Sequence, residues 1–116
     1  MNDPEVEAGH LQELRRGTIV MAALALLTTP RYGYALLETL AENGFAVDGN
    51  TLYPLLRRLE RQGLLTSEWN LEEPRPRKFY RASPAGRELL ATLRAEWRTL
   101  ASALASVSDG LPEGTT

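Results

Sequence analysis

The most telling pattern in the chain lies between Asp48 and Ala82. It reads Asp48-Gly-Asn-Thr-Leu-Tyr-Pro-Leu-Leu-Arg-Arg-Leu-Glu-Arg-Gln-Gly63, then Leu64-Leu-Thr-Ser-Glu-Trp69, a polar turn, and Arg77-Lys-Phe-Tyr-Arg-Ala82. Leu52, Leu55, Leu56 and Leu59 fall at i, i+3, i+4 and i+7, the spacing of a helix with one apolar face. Asp48 precedes it as an N-cap, with a carboxylate free to accept from amides two or three residues on. Gln62-Gly63 closes it. Pro54 lies inside this helix and removes one backbone hydrogen bond, which predicts a kink or a loosened first turn. The two short segments after the helix, joined by a proline-bearing turn at 70–76, predict a β-hairpin.

Upstream, the chain predicts two more helices. Apolar residues from Leu11 and Leu14 lead into Ile19-Val-Met-Ala-Ala-Leu-Ala-Leu-Leu27, a run apolar on every side that suits a helix at the centre of a small domain. Thr28-Thr29-Pro30 stops it, because the residue before proline is driven from the α region. A second helix spans about Gly33 to Asn43, with Leu36, Leu37 and Leu40 inward, and Gly44 supplies a left-handed C-cap. Downstream, Ser83-Pro84 pairs an N-cap with a proline at the first helical position and predicts a helix to about Val107. The order is helix, helix, helix, hairpin, long helix. The fold class is mainly α with a small β-hairpin: a winged helix-turn-helix plus a long C-terminal dimerisation helix. Residues 1–10 are expected to be a flexible segment, 11–82 the winged domain, 83–107 the dimerisation helix and 108–116 a flexible tail.

Composition bounds the function. The 116 residues suffice for one core, with 43% hydrophobic and 24% charged residues typical of a globular protein. Cysteine is absent and His10 is the single histidine, so thiolate zinc sites, Cys nucleophiles and His-rich metal sites are excluded, and little is left for a His-based triad. No metal site, cofactor or catalytic residue is expected, and an enzyme is disfavoured because no paired carboxylates, nucleophile–base set or phosphate loop is present. The longest apolar run is far below the ~20 residues of a membrane span. The acidic, polar N-terminus is unlike a signal peptide, so a cytoplasmic location and no membrane partner are expected.

The third helix carries the functional signal. Opposite its leucine stripe lie Asn50, Pro54, Arg57 and Arg61, flanked by Thr51, Tyr53 and Arg58. Arginine suits bidentate contact with guanine or phosphate, and Asn, Thr and Tyr reach base edges. The hairpin adds Arg75, Arg77, Lys78 and Arg81, with Glu72 and Glu73 near the tip in partial opposition. Alternation places Lys78 and Tyr80 on one face and Phe79 and Arg81 on the other, so the cations cannot all face one ligand. The net charge of -2 is unevenly spread: residues 1–49 carry -4, residues 50–82 carry +3, and residues 83–116 carry -1. Positive charge is concentrated where a duplex would lie, which predicts modest, salt-sensitive attraction on one face. A solvated amphipathic surface, or a winged-helix module that binds protein rather than DNA, is the alternative.

On the last helix, Leu90, Leu93, Trp97, Leu100, Leu104 and Val107 repeat at alternating spacings of three and four. This is heptad spacing on a helix too long for so small a domain to cover, which predicts a homodimer interface including Leu90, Leu93, Trp97, Leu100 and Leu104. Trp97 has two open roles, as an interface anchor or as a stacking platform for a planar aromatic effector.

Six segments taken together resemble the PadR family of bacterial transcriptional regulators. They are Leu14-Arg-Arg-Gly-Thr-Ile-Val, Tyr32-Gly-Tyr-Ala-Leu-Leu, Gly49-Asn-Thr-Leu-Tyr-Pro-Leu-Leu-Arg-Arg-Leu-Glu, Gly63-Leu-Leu-Thr-Ser-Glu-Trp, Pro76-Arg-Lys-Phe-Tyr-Arg and Ser83-Pro-Ala-Gly-Arg. The resemblance covers about residues 11–95 and implies a homodimeric winged helix-turn-helix protein, usually a repressor, bound to double-stranded DNA. By position it places Asn50, Thr51, Tyr53 and Arg57 on the recognition helix and Lys78 on the wing. It also puts Trp97 where some members hold a planar aromatic effector between subunits. The single C-terminal helix is similar to the short branch of the family.

Overall fold

The computed structural model describes residues 3–72 and 74–109; Met1, Asn2, Glu73 and residues 110–116, which hold most of the expected flexible tail, lie outside them. Among the described residues, four helices and three strands are arranged in the order α1 (Pro4–Leu26), β1 (Arg31–Tyr32), α2 (Gly33–Glu42), α3 (Gly49–Arg61), β2 (Leu65–Asn70), β3 (Arg77–Ala82) and α4 (Pro84–Asp109). The expected helices and hairpin are all present.

Three features differ from expectation. Helix α1 begins at Pro4 rather than Leu11. Asp3 accepts from the amides of Glu5 at 2.7 Å and Val6 at 3.4 Å, Pro4 starts the helix, and Glu5 and Glu7 lie in its first turn, where carboxylates offset the positive end of the helix dipole. The segment expected to be flexible is therefore helical from Pro4. The hairpin is also one strand short of the sheet: β1 pairs antiparallel with β3, Arg31 opposite Tyr80 and Tyr32 opposite Phe79, giving the order β1-β3-β2. A two-residue strand has no alternation to detect, and only the fold brings it to the β3 edge. Finally, α4 continues through Asp109, past the expected end at Val107.

The core draws on every element but β1. Ala23, Leu24 and Leu27 of α1 and its end meet Leu36 and Leu40 of α2 and Leu52, Leu56 and Leu59 of α3. Leu65, Tyr80 and Ala82 close it from the sheet, and Leu90 from α4. The leucine stripe of α3 is thus inward, with Leu55 half-buried beside it. Of the apolar run in α1, only Ala23, Leu24 and Leu27 are fully covered; its other members are partly exposed. Gly44 and Gly63 adopt positive φ, 90° and 77°, and let the chain turn sharply as it leaves α2 and α3. Helix α3 runs through Pro54 without interruption; the proline leaves the Asn50 carbonyl without its helical donor on an exposed surface.

The junction between wing and α4 is tightly packed. The Ser83 hydroxyl donates to the Gly63 carbonyl at 2.6 Å and accepts from the Gly86 amide at 3.0 Å, while the Ser83 amide donates to Leu64 O at 3.0 Å. A Cβ on Gly86 would stand 2.1 Å from that same Leu64 oxygen. Only glycine lets the first turn of α4 approach the wing backbone so closely.

Candidate nucleic-acid interface

The N-terminus of α3 is set by Asp48, whose carboxylate accepts from the Thr51 amide at 2.9 Å. With the leucines committed to the core, Asn50, Thr51, Pro54, Arg57, Arg58 and Arg61 are all exposed on the opposite side. Among the described residues, Arg57, Arg58 and Arg61 form no ion pair. An uncommitted guanidinium keeps its planar donor fork available for a bidentate acceptor, whether a guanine edge or a phosphate.

Tyr53 is placed differently from its neighbours. It is half-buried, and its ring fills the space over two glycines: a Cβ on Gly33 would lie 2.6 Å from its Cε1, and one on Gly49 would lie 3.1 Å from its Cε2. The ring wedges α3 against the start of α2. It orients the helix, and its hydroxyl also lies close to Gly33, 3.3 Å from where a Cβ there would stand.

Arg77 and Lys78 stand on opposite faces of the hairpin. Arg77 donates to the Tyr34 hydroxyl at 2.8 Å and lies over the Tyr34 and Tyr32 rings, 5.1 and 5.9 Å from their centroids. Lys78 faces α3: its ammonium is 3.4 Å from Glu60 Oε1 and 5.4 Å from the Tyr80 ring centroid. Arg75 is exposed at the tip. The structure therefore brings Asn50, Thr51, Arg57 and Arg61 together on one surface, and holds Arg77 and Lys78 beside it in internal contacts.

Sequence patterns passed over the residues that make those contacts. Tyr32 and Tyr34 stack at 5.7 Å, Tyr32 meets Phe79 edge-on, and Asn70 donates to the Tyr32 hydroxyl at 2.7 Å. Glu60 accepts from Ser67 at 2.5 Å. That hydrogen bond, with the charge of Lys78 added, holds the Glu60 carboxyl below the usual range against the opposing effect of burial. Burial raises the Tyr80 phenol. An acidic residue among arginines is the visible signal for Glu60. The tyrosines offer none, since their hydrogen-bond partners stand 38 and 43 positions away along the chain.

The expected dimer stripe divides along α4. Leu90 is 5% exposed and belongs to the chain's own core, so it is not available to a partner; near the start of α4, it still lies over the winged domain. Leu93 is half-buried. Beyond it Trp97 is 53% exposed, with Leu100, Leu104 and Val107 comparably or more open. Helix α1 adds exposed Leu11 and Leu14. Between the two helices runs a groove of about 630 Å³ lined by Leu14, Thr18, Met21, Trp97, Leu100 and Leu104. Trp97 also lines a second recess of about 420 Å³ with Met21, Ala25, Phe45 and Arg94.

The profile of the Transcriptional regulator PadR-like family matches residues 22–92, which is more than half of the chain and spans the core, α3 and the wing. The chain belongs to the PadR family. A PadR family transcriptional regulator from Eggerthella lenta is 43% identical and superimposes with a TM-score of 0.88, over 92% of this chain and 96% of that one. A PadR-like transcription factor from Bacteroides fragilis is 31% identical, with a TM-score of 0.72 over 85% of this chain and 98% of that one. Transcriptional regulator Rv3488 of Mycobacterium tuberculosis is 44% identical over 70 residues, 60% of this chain and 65% of the relative. PadR proteins are non-enzymatic regulators that bind DNA, and this chain is a transcriptional regulator of that kind. Among the described residues no helix is long and apolar enough to cross a membrane.

Proposed function

We propose that this PadR protein is a homodimeric repressor that reads a palindromic operator with α3. The observation that carries this is the exposed row Arg57, Arg58 and Arg61, without an ion pair among the described residues and continuous with Asn50 and Thr51 on a helix whose other face is locked in the core. Asn50, Thr51, Arg57 and Arg61 face the major groove, with the Tyr53 hydroxyl at the margin, and the wing lies along the backbone, where Arg75, Arg77 and Lys78 add positive field. Two copies related by a two-fold axis present the helices to half-sites about one helical turn apart. Binding there occludes a promoter. The apolar α1–α4 face supports the dimer: Trp97, Leu100 and Leu104, with Leu93 at the edge, are an uncovered stripe of a kind a partner helix buries.

Trp97 supports an effector site at the same interface. A planar aromatic molecule would stack on the indole between the two recesses, and would regulate only if it bound one spacing of the two wings better than another. The test is a gel-shift titration on the DNA upstream of the protein's own gene, repeated across salt. Binding that weakens steeply with salt is expected. No complex at low salt, or an affinity indifferent to salt, overturns DNA binding. Sedimentation at micromolar concentration checks the dimer, and a chain that stays monomeric overturns that part.

A further inference from the structure

Glu60 is out of place on a DNA-facing helix. It lies one turn from Arg57 and next to Arg61, where a carboxylate repels phosphate. Its two oxygens divide between the two strands of the wing. Oε2 accepts from the Ser67 hydroxyl of β2 at 2.5 Å, and Oε1 takes the Lys78 ammonium of β3 at 3.4 Å. Ser67 pairs with Tyr80 and Trp69 with Lys78, so all four residues share the sheet face turned toward α3. The hairpin is gripped elsewhere as well, by Asn70 on Tyr32 and Arg77 on Tyr34. The hairpin is thus held between α3 and the start of α2.

We propose that Glu60 is a positioning residue that fixes the angle between recognition helix and wing, and that it does so by committing Lys78 to itself rather than to DNA phosphate. This rests on the reading that α3 and the wing contact DNA together. Two surfaces meet one duplex at little entropic cost only if their relative orientation is set beforehand. A lysine drawn to the helix also contributes less sequence-independent attraction, so the clamp raises discrimination as it lowers total charge contact.

The experiment compares the full chain with Glu60→Gln, Lys78→Gln and the double variant, by fluorescence anisotropy on operator and random duplex across salt. Glutamine keeps the hydrogen bond to Ser67 and loses the hold on Lys78. Glu60→Gln is expected to bind random DNA more tightly and to steepen the salt dependence by about one counterion per subunit, about two per bound dimer, so that affinity falls about 12-fold more between about 50 and about 200 mM salt. In the Lys78→Gln background this change is expected to vanish. An equal change with and without Lys78 overturns the proposal, since Glu60 is then only a repelling charge. A DNA-free measurement stands apart from the functional reading: backbone order of residues 65–80 by NMR relaxation is expected to fall in Glu60→Gln, and unchanged order overturns the clamp. Failure of the unmodified chain to bind any duplex overturns the DNA reading instead, and leaves the NMR result to decide the clamp.

Discussion

The wing and the arm formed by the outer parts of α1 and α4 both extend from the same leucine core, and they are finished in opposite ways. The wing is short, and four of its polar side chains find partners elsewhere in the chain: Ser67 and Lys78 on Glu60, Asn70 on Tyr32, Arg77 on Tyr34. The arm is longer, and the apolar side chains along its groove stay largely uncovered, with Trp97, Leu100 and Leu104 open to solvent and Leu14 72% exposed across the groove. Directional bonds let a small element complete itself. Apolar surface is satisfied only by area, which a single helix pair does not supply. The wing is therefore braced within one copy, while the arm is left incomplete.

The largest effect that tests this contrast is at the junction. Gly86→Ala places a methyl against the Leu64 carbonyl, backbone that cannot give way, and is expected to cost about 3 kcal/mol in thermal or denaturant unfolding. Gly9→Ala, on the arm with open space around it, is expected to be neutral or to stabilise by up to about 1 kcal/mol. Equal responses at the two glycines would erase the distinction between packed wing and open arm. Next in size, Leu104→Asp is expected to weaken self-association by about 2 kcal/mol or more, read by sedimentation equilibrium, with the melting of the winged domain little changed. A dimer that survives this charge locates the interface elsewhere. Arg57→Ala is expected to lose about 1–3 kcal/mol of operator affinity without loss of stability, and an unchanged affinity removes Arg57 from the readout.

The smallest effect belongs to pH. The Glu60 carboxyl is held below the ordinary value of 4.5, first by the Ser67 hydrogen bond and then by Lys78. Its folded pKa is lower than its unfolded one, so its contribution to the wing is complete above the unfolded value and is lost as pH falls through the folded one. Fluorescence of Trp69, which sits across from Lys78, is expected to report loosening only in that acidic range. A change centred near neutrality would point to a different group.

Much of the winged fold is legible in the sequence because its signals are periodic. The leucines of α3, the alternation of β3 and the Ser83-Pro84 start all register against a fixed local pattern, and the exposed arginines emerge by subtraction from the leucine face. The features that escape lack such a pattern. Strand β1 is two residues long, the Asp3-Pro4 cap precedes a helix half with no apolar stripe, and the Tyr53 wedge depends on two glycines, Gly33 and Gly49, that meet it only after folding. Leu90 shows the limit from the other side. Its heptad position matches Trp97 and Leu104, yet it is core and they are surface.

Local order along the chain was enough to say which residues of the leucine-rich helices turn inward, and that positive charge gathers between residues 50 and 82. Both are properties of neighbouring positions within one segment. The point where α4 stops being core and becomes an open face, and the identity of the wing cations drawn into internal contacts, came from the folded molecule alone. Those depend on how far neighbouring elements reach, and distance across a fold is not written in the spacing of any one segment.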